Sequence, residues 1–223
     1  MRFNDDWLIW QLADSAFPTG GFAHSGGLEA AWQHGEIRSR AEFIAFVETS
    51  LQQLGYASLP FMQAAWEEPL RLAELDAHFE VFTTNHVTNR ASRLQGRAFW
   101  MAVERSFPSV SVEELRPQIE AEGFCAHLPP MFGAVTSALG LEKADVVQVF
   151  FFCYLRGLIA SAVRLGIVGP MEAQGIQFKL SQKAQAVAAE CADIAVEEAA
   201  QTAPLLDLWQ GAQDRLYSRL FQS

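Results

Sequence analysis

The chain has 223 residues, half of them apolar, with 17 Phe, 6 Trp and a formal net charge of -10. That apolar content excludes a disordered chain and supplies ample core for one large domain or two small ones. A surface this acidic repels phosphate backbones and anionic lipid, which excludes nucleic acid and membrane as natural partners and favours basic or metal-handling ones. The cysteines Cys125, Cys153 and Cys191 are odd in number and widely spaced. They predict neither a disulfide framework nor a structural zinc site, and they fit the reducing cytoplasm. The first residues, MRFNDDWLIW, carry two acids where a signal peptide needs an apolar run and a basic flank.

The apolar periodicity is helical nearly throughout. Asp5 or Asp6 caps a first helix running to about Asp14, which Pro18 and the following glycines break. A short helix spans Leu28 to His34 and is closed by Gly35. Ser39 opens a longer one through Phe43, Phe46, Val47 and Leu51, at three- and four-residue spacing. Gly55 and Pro60 interrupt or kink the next stretch. From Pro69 to Ser106 runs a long helical region with a break near Thr83–Asn85, and Pro108 ends it. Its second half carries Arg90, Arg93 and Arg97 as one basic stripe. Ser111 with Glu114 reads as a capping box for a helix over Val112–Glu122.

His127-Leu128-Pro129-Pro130 predicts a turn before a helix over Met131–Leu139. Lys143 to Leu165 is the central apolar helix, closed by Gly166, Gly169 and Pro170. Its most apolar run, Val149–Leu155, is far shorter than the roughly 20 residues that span a bilayer. Met171 to Ala200 predicts an Ala-rich helix with Val187, Cys191 and Ile194 as its buried stripe. A polar tail follows Pro204. There is no internal repeat and no linker rich in Pro, Gly or Ser. The fold class is therefore an all-α, single-domain bundle of roughly eight to ten helices over residues 1–223, with the segment at about 211–223 set apart as a tail.

The most informative local feature is Pro18-Thr19-Gly20-Gly21-Phe22-Ala23-His24-Ser25-Gly26-Gly27. As a phosphate cradle it lacks the Lys and Ser/Thr of a P-loop and a preceding strand. As a nucleophile elbow around Ser25 it again lacks the strand. Four glycines permit a sharp turn between packed helices. The adjacent His24, Ser25 and Glu29, and a Phe22 that a tight turn presents to solvent, make a binding loop the better reading. Among five histidines, His78 and His86 share a helix face but lie about 12 Å apart along it, too far for one ion. No dedicated metal site is expected, which leaves a weak site or one shared across a dimer. The arginine stripe is either a solvated face or a docking strip for an acidic partner or a phosphate. Arg164 is either a cation stabilising a helix C-terminus or an arginine finger. Leu216, Tyr217, Leu220 and Phe221 make the tail amphipathic, the kind of segment that orders when a partner supplies an apolar groove.

Leu8 to Glu29, LIWQLADSAFPTGGFAHSGGLE, resembles the N-terminal signature of the UreF family of urease accessory proteins. Arg90–Arg97, His127 with Phe132-Gly133 and Leu139-Gly140, and Tyr217-Ser218-Arg219-Leu220-Phe221 agree in order and approximate spacing. One departure lies after Arg164. There the family often reads Pro-Leu-Gly-Gln and then Gly-Gln, and this chain has Gly166-Ile167-Val168-Gly169-Pro170-Met171-Glu172-Ala173-Gln174. The resemblance implies an all-helical, homodimeric scaffold without catalytic residues. It would bridge UreD (also called UreH) to the GTPase UreG and deliver nickel to apo-urease. It further implies a GTPase-facing surface of Pro18, Gly20, Gly21, Phe22, His24, Ser25, Glu29 and Arg219, and a UreD-binding tail of Tyr217, Ser218, Leu220 and Phe221. No cofactor is implied for the chain itself, since nickel is handled by the complex and not bound tightly here. The alternative is a GTPase-activating role using Arg164 or Arg219.

Overall fold

The computed structural model describes residues 5–107 and 109–223, and every regular element among them is helical. In chain order these are α1 (Asp5–Ala13), α2 (Leu28–Gln33), α3 (Arg40–Gln53), α4 (Leu59–Glu67), α5 (Leu72–Phe82) and α6 (His86–Ser106). There follow the single-turn α7 (Val110–Glu113) and α8 (Arg116–Ile119), then α9 (Leu128–Ala138), α10 (Lys143–Arg164), α11 (Pro170–Glu190) and α12 (Pro204–Ala212). The all-α expectation holds.

Local chemistry sets many of the boundaries. Ser39 caps α3 by accepting from the Glu42 N–H at 3.2 Å. Asn85 caps α6 through Oδ1, which accepts from Val87 N and Thr88 N at 3.0 and 3.2 Å, so the break near Thr83–Asn85 is real. Between α3 and α4 the helix does not stop at Gly55. It widens into a π-turn over Leu54–Ser58 and continues with Pro60 in the first turn of α4.

Four boundaries differ from the sequence reading. The helix expected over Val112–Glu122 is two single turns interrupted at Glu114 and Leu115, with Pro117 in the first turn of the second. Its cap is Ser109, whose Oγ accepts from Val112 N at 3.2 Å, and not Ser111. Pro129 and Pro130 do not form a turn; they occupy the first turn of α9, where a missing N–H costs nothing. The helix expected to reach Ala200 ends at Glu190. Beyond it, Ala200 N, Thr202 N and Ala203 N donate instead to Tyr56 O and Gln53 Oε1, at 3.0, 2.7 and 2.9 Å. The segment after Pro204 is not a polar tail at first. It forms α12, with Leu206 buried and Trp209 packed on Phe46 at 5.7 Å between ring centroids. Pro108 lies outside the described residues.

Two helices organise the packing. α9 lies against α4, α5 and α6, and α10 touches α1, α2, α3, α4, α9 and α11. Phe43, Phe61, Phe99, Met131 and Leu155 are among the fully buried side chains of the core. α10 is long and apolar enough to cross a membrane by length and composition, and half of that stretch is buried inside the domain. α9 and α4 approach closely at Gly133, where an added Cβ would run into the Met62 carbonyl of α4. No side chain fits between two backbones in contact.

Gly133→Ala should therefore cost about 1–3 kcal/mol and lower Tm by several degrees. Gly175, in the interior of α11, has nothing within 4 Å of the equivalent position. Gly175→Ala should shift Tm the opposite way, by about 0.5–1 kcal/mol of added stability. Thermal melts of the two variants check the pair.

Candidate functional site

The glycine-rich turn connects α1 to α2 and is built on left-handed backbone. Gly20, Gly26 and Gly27 have φ of 73°, 63° and 89°, a region that suits glycine. Gly27 also abuts Gln210 of α12, with the Gln210 backbone nitrogen 3.1 Å from where a Cβ would stand. The turn and the last residues of the chain hydrogen-bond to each other like two short strands. Ser25 N donates to Ser223 O at 2.5 Å and Gln222 N donates to Ala23 O at 2.8 Å.

Glu29, in the first turn of α2, is 1 % exposed and holds this junction. Its carboxylate accepts from Leu220 N (2.6 Å), Phe221 N (3.1 Å) and the Gln213 side-chain amide (2.6 Å). Arg164, at the end of α10, clamps the other side. Its guanidinium sits 4.2 Å from the ring centroids of both Phe22 and Phe221. Its Nη1 donates to Phe22 O at 2.5 Å. His24 Nδ1 meets the Ser223 hydroxyl.

The basic stripe on α6 divides its labour. Arg90 forms a two-pronged pair with Asp214 at 2.8 and 3.1 Å, which, with burial opposing it, leaves the Asp214 carboxyl below its ordinary pKa. Arg219 and His86 also meet that carboxylate, at 3.2 and 3.3 Å. Arg93 faces Glu80 at 3.7 Å, and Arg97 is exposed. A groove lined by His24, Arg90, Leu94, Asp214, Arg219 and Leu220 runs along the seam between turn and tail.

The sequence-predicted residues thus fall into two layers. Phe22 is 64 % exposed, Tyr217 and Leu220 are exposed, and Pro18, Gly20, Ser218 and Arg219 lie at the surface. Gly21 and His24 are half-buried. Ser25 and Glu29, expected on the surface, are instead buried beneath it. They shape the surface and do not form part of it. Phe221 of the tail is buried, with its ring against Arg164 and its N–H donating to Glu29. Gln213, Asp214 and Gln210 were missed as site residues. Their signal was the spacing Leu206, Trp209 and Gln213 after Pro204, an amphipathic helix start.

A second cluster also went unread. Glu80 of α5 and Cys125 and His127 of the loop before α9 bring their ligand atoms within 4.8 Å of one another. His127 Nε2 lies 2.7 Å from Glu80 Oε2, and Nδ1 lies 3.2 Å from Ser92 Oγ. Burial holds the imidazole below its ordinary pKa. Burial raises the Cys125 thiol, as do the neighbouring Glu80 and Asp76. Burial also acts to raise the Glu80 carboxyl, but the hydrogen bonds from Asn89 and His127 outweigh it and the net shift is downward. These residues are 45 or more apart in sequence from α5 to the loop, so spacing rules gave no warning of them.

These features define an all-α domain whose distinguishing element is a composite surface of turn and tail. The UreF family profile matches residues 37–181. The chain is 36 % identical over 219 residues to urease accessory protein F of Oryza sativa subsp. japonica, covering 96 % of this chain and 84 % of that one. It is 35 % identical over 221 residues to urease accessory protein F of Arabidopsis thaliana, covering 97 % and 92 %. It is 29 % identical over 227 residues to urease accessory protein UreF of Trichodesmium erythraeum, covering 98 % and 97 %. The chain belongs to the UreF family of urease accessory proteins, and its role lies in urease maturation.

Glu29→Ala removes charge-assisted hydrogen bonds worth about 1.5–3 kcal/mol each. It should release the tail, so that trypsin cleaves after Arg219 at least tens of times faster, with the helical circular dichroism retained. The junction is also pH-sensitive. Burial, and then the charge of Arg90, hold His24 down to about 4. An unfolded histidine titrates near 6.5, so the stabilisation is complete above about pH 6.5 and is lost as pH falls from there through about 4. The difference in Tm between about pH 7 and pH 5 should be smaller in His24→Asn than in the parent chain.

Proposed function

We propose that this chain is a non-catalytic scaffold that bridges UreD (UreH) to the GTPase UreG in a complex delivering nickel to apo-urease in the cytoplasm. The observation that carries the reading is the fusion of turn and tail into one surface by Glu29 and Arg164. On the GTPase side it offers Phe22 and Arg219, flanked by Pro18, Gly20, Gly21 and His24. On the UreD side it offers Tyr217, Ser218 and Leu220. An exposed aromatic ring backed by an arginine is the composition of an interface anchor. Because the two segments are hydrogen-bonded to each other, a partner that grips the tail acts directly on the turn.

The second reading is stimulation of GTP hydrolysis by an arginine. Arg164 is stacked between two rings and bonded to a carbonyl, which suits a staple better than a mobile finger. Arg219, with 43 % of its side chain exposed, is the freer of the two. A homodimer is supported by an apolar groove of about 520 Å³ between α1, α10 and α11, flanked by exposed Phe152 and Phe178.

Capture assays with purified UreG and UreD test the scaffold. The intact chain should hold both. Phe22→Ala should weaken UreG capture at least about ten-fold. Deleting Tyr217–Ser223 should abolish UreD capture and leave the helical spectrum intact. Failure of the intact chain to bind either partner would sink the reading. Measuring GTP turnover by UreG with the parent chain, Arg164→Ala and Arg219→Ala decides the second reading; an unchanged rate removes it.

A further inference from the structure

The loop carrying Cys125 and His127 is held in one shape. The buried Asp76 carboxylate accepts from the N–H groups of Cys125, Ala126 and His127 at 2.7, 3.2 and 2.7 Å. Ala126 takes φ 67°, a left-handed conformation unusual for a residue with a Cβ, at the centre of that bend. The bend turns Cys125 and His127 toward Glu80, which stands one helical turn beyond Asp76 on α5. Thiolate, imidazole and carboxylate together suit a borderline divalent ion and not magnesium or calcium. Metal–ligand bonds of about 2.0–2.3 Å put tetrahedral donors about 3.3–3.8 Å apart, so small side-chain movements close the present set around an ion.

We infer that Glu80, Cys125 and His127 form an exchangeable site for one zinc, cobalt(II) or nickel(II) ion, with solvent completing the coordination. This goes beyond the scaffold reading, because the chain itself would take up the ion. His127 Nε2, Cys125 Sγ and a Glu80 oxygen are the ligands. With the ion bound, Ser92 Oγ, 3.2 Å from Nδ1, would accept Nδ1–H and leave the Nε2 lone pair to the metal, and Asn89 Nδ2 donates to the Glu80 carboxylate at 2.9 Å. Entry of one ion moves the imidazole proton from Nε2 to Nδ1 and releases the thiol proton to solvent.

Two features make the site exchangeable and not structural. Without an ion the imidazole and carboxylate satisfy each other, so folding does not need the metal. Glu80 is 36 % exposed at its side chain and Cys125 is half-buried, which leaves a path for entry, while the charge of Arg93 at 3.7 Å limits affinity.

The test is titration of the tag-free chain with Co2+, read by thiolate-to-cobalt charge-transfer absorption, followed by competition with Zn2+ and Ni2+ in equilibrium dialysis. One ion per chain should bind and be displaced by Zn2+. Cys125→Ser should abolish the charge-transfer band, Cys153→Ser should retain it, and Glu80→Gln should weaken binding at least about ten-fold. His127 is wholly buried, so the half-buried Cys125 carries the decision even where other variants fold poorly. Absence of saturable binding, or a band that survives Cys125→Ser, would overturn the inference.

Discussion

A carboxylate buried away from water must find donors or lose its charge. Glu29 finds them in the last eleven residues of the chain, at Gln213, Leu220 and Phe221. That requirement brings the tail back across the first turn of α2, and the rest of the site follows from it. Phe221 arrives under Arg164, and Arg164 can then stack on Phe22 from the other face. Phe22, braced from below, points outward. Gln222 and Ser223 pair with Ala23 and Ser25, which leaves the glycine-rich turn no freedom to fold back on itself. Removing the carboxylate would undo each of these contacts in the same order.

The same device recurs at the far side of α6. There Asp76 collects three loop N–H groups as Glu29 collects two from the tail. The helix α6 connects the two places. Arg90, near its start, holds Asp214 beside the turn, while Ser92 and Arg93 on the neighbouring positions face His127 and Glu80. What reads in sequence as a single basic stripe is thus a brace between two loops, each fixed by a buried acid. The acidic net charge of the chain is compatible with this arrangement, because Arg90 and Arg219 are matched by Asp214 and Arg164 by two rings.

The helices were legible because their signals are local. Ser39 and Asn85 cap where short polar residues before apolar periodicity should cap, and the apolar spacing through Phe43, Phe46 and Val47 faces the core as expected. The turn was legible as unusual because glycine density has few other uses. What was illegible depends on contacts between distant segments. Nothing near Ser25 or Glu29 announces that residues 213–223 will cover them. Similarly, the backbone well beyond α11, at Thr202 and Ala203, is held by the side-chain carbonyl of Gln53, a partner roughly 150 positions away in the chain. The Glu80, Cys125 and His127 cluster is hidden for the same reason, since spacing rules see only ligands on one element.

Turn and tail are joined through Glu29, so the two segments should behave as one cooperative unit. Native-state hydrogen exchange on the isolated chain measures this directly. The amides of Ser25, Leu220, Phe221 and Gln222 should open together, with a single free energy of exchange. Rapid exchange at Leu220, Phe221 and Gln222 beside a protected Ser25 would show a tail that comes and goes on its own, and would contradict the account.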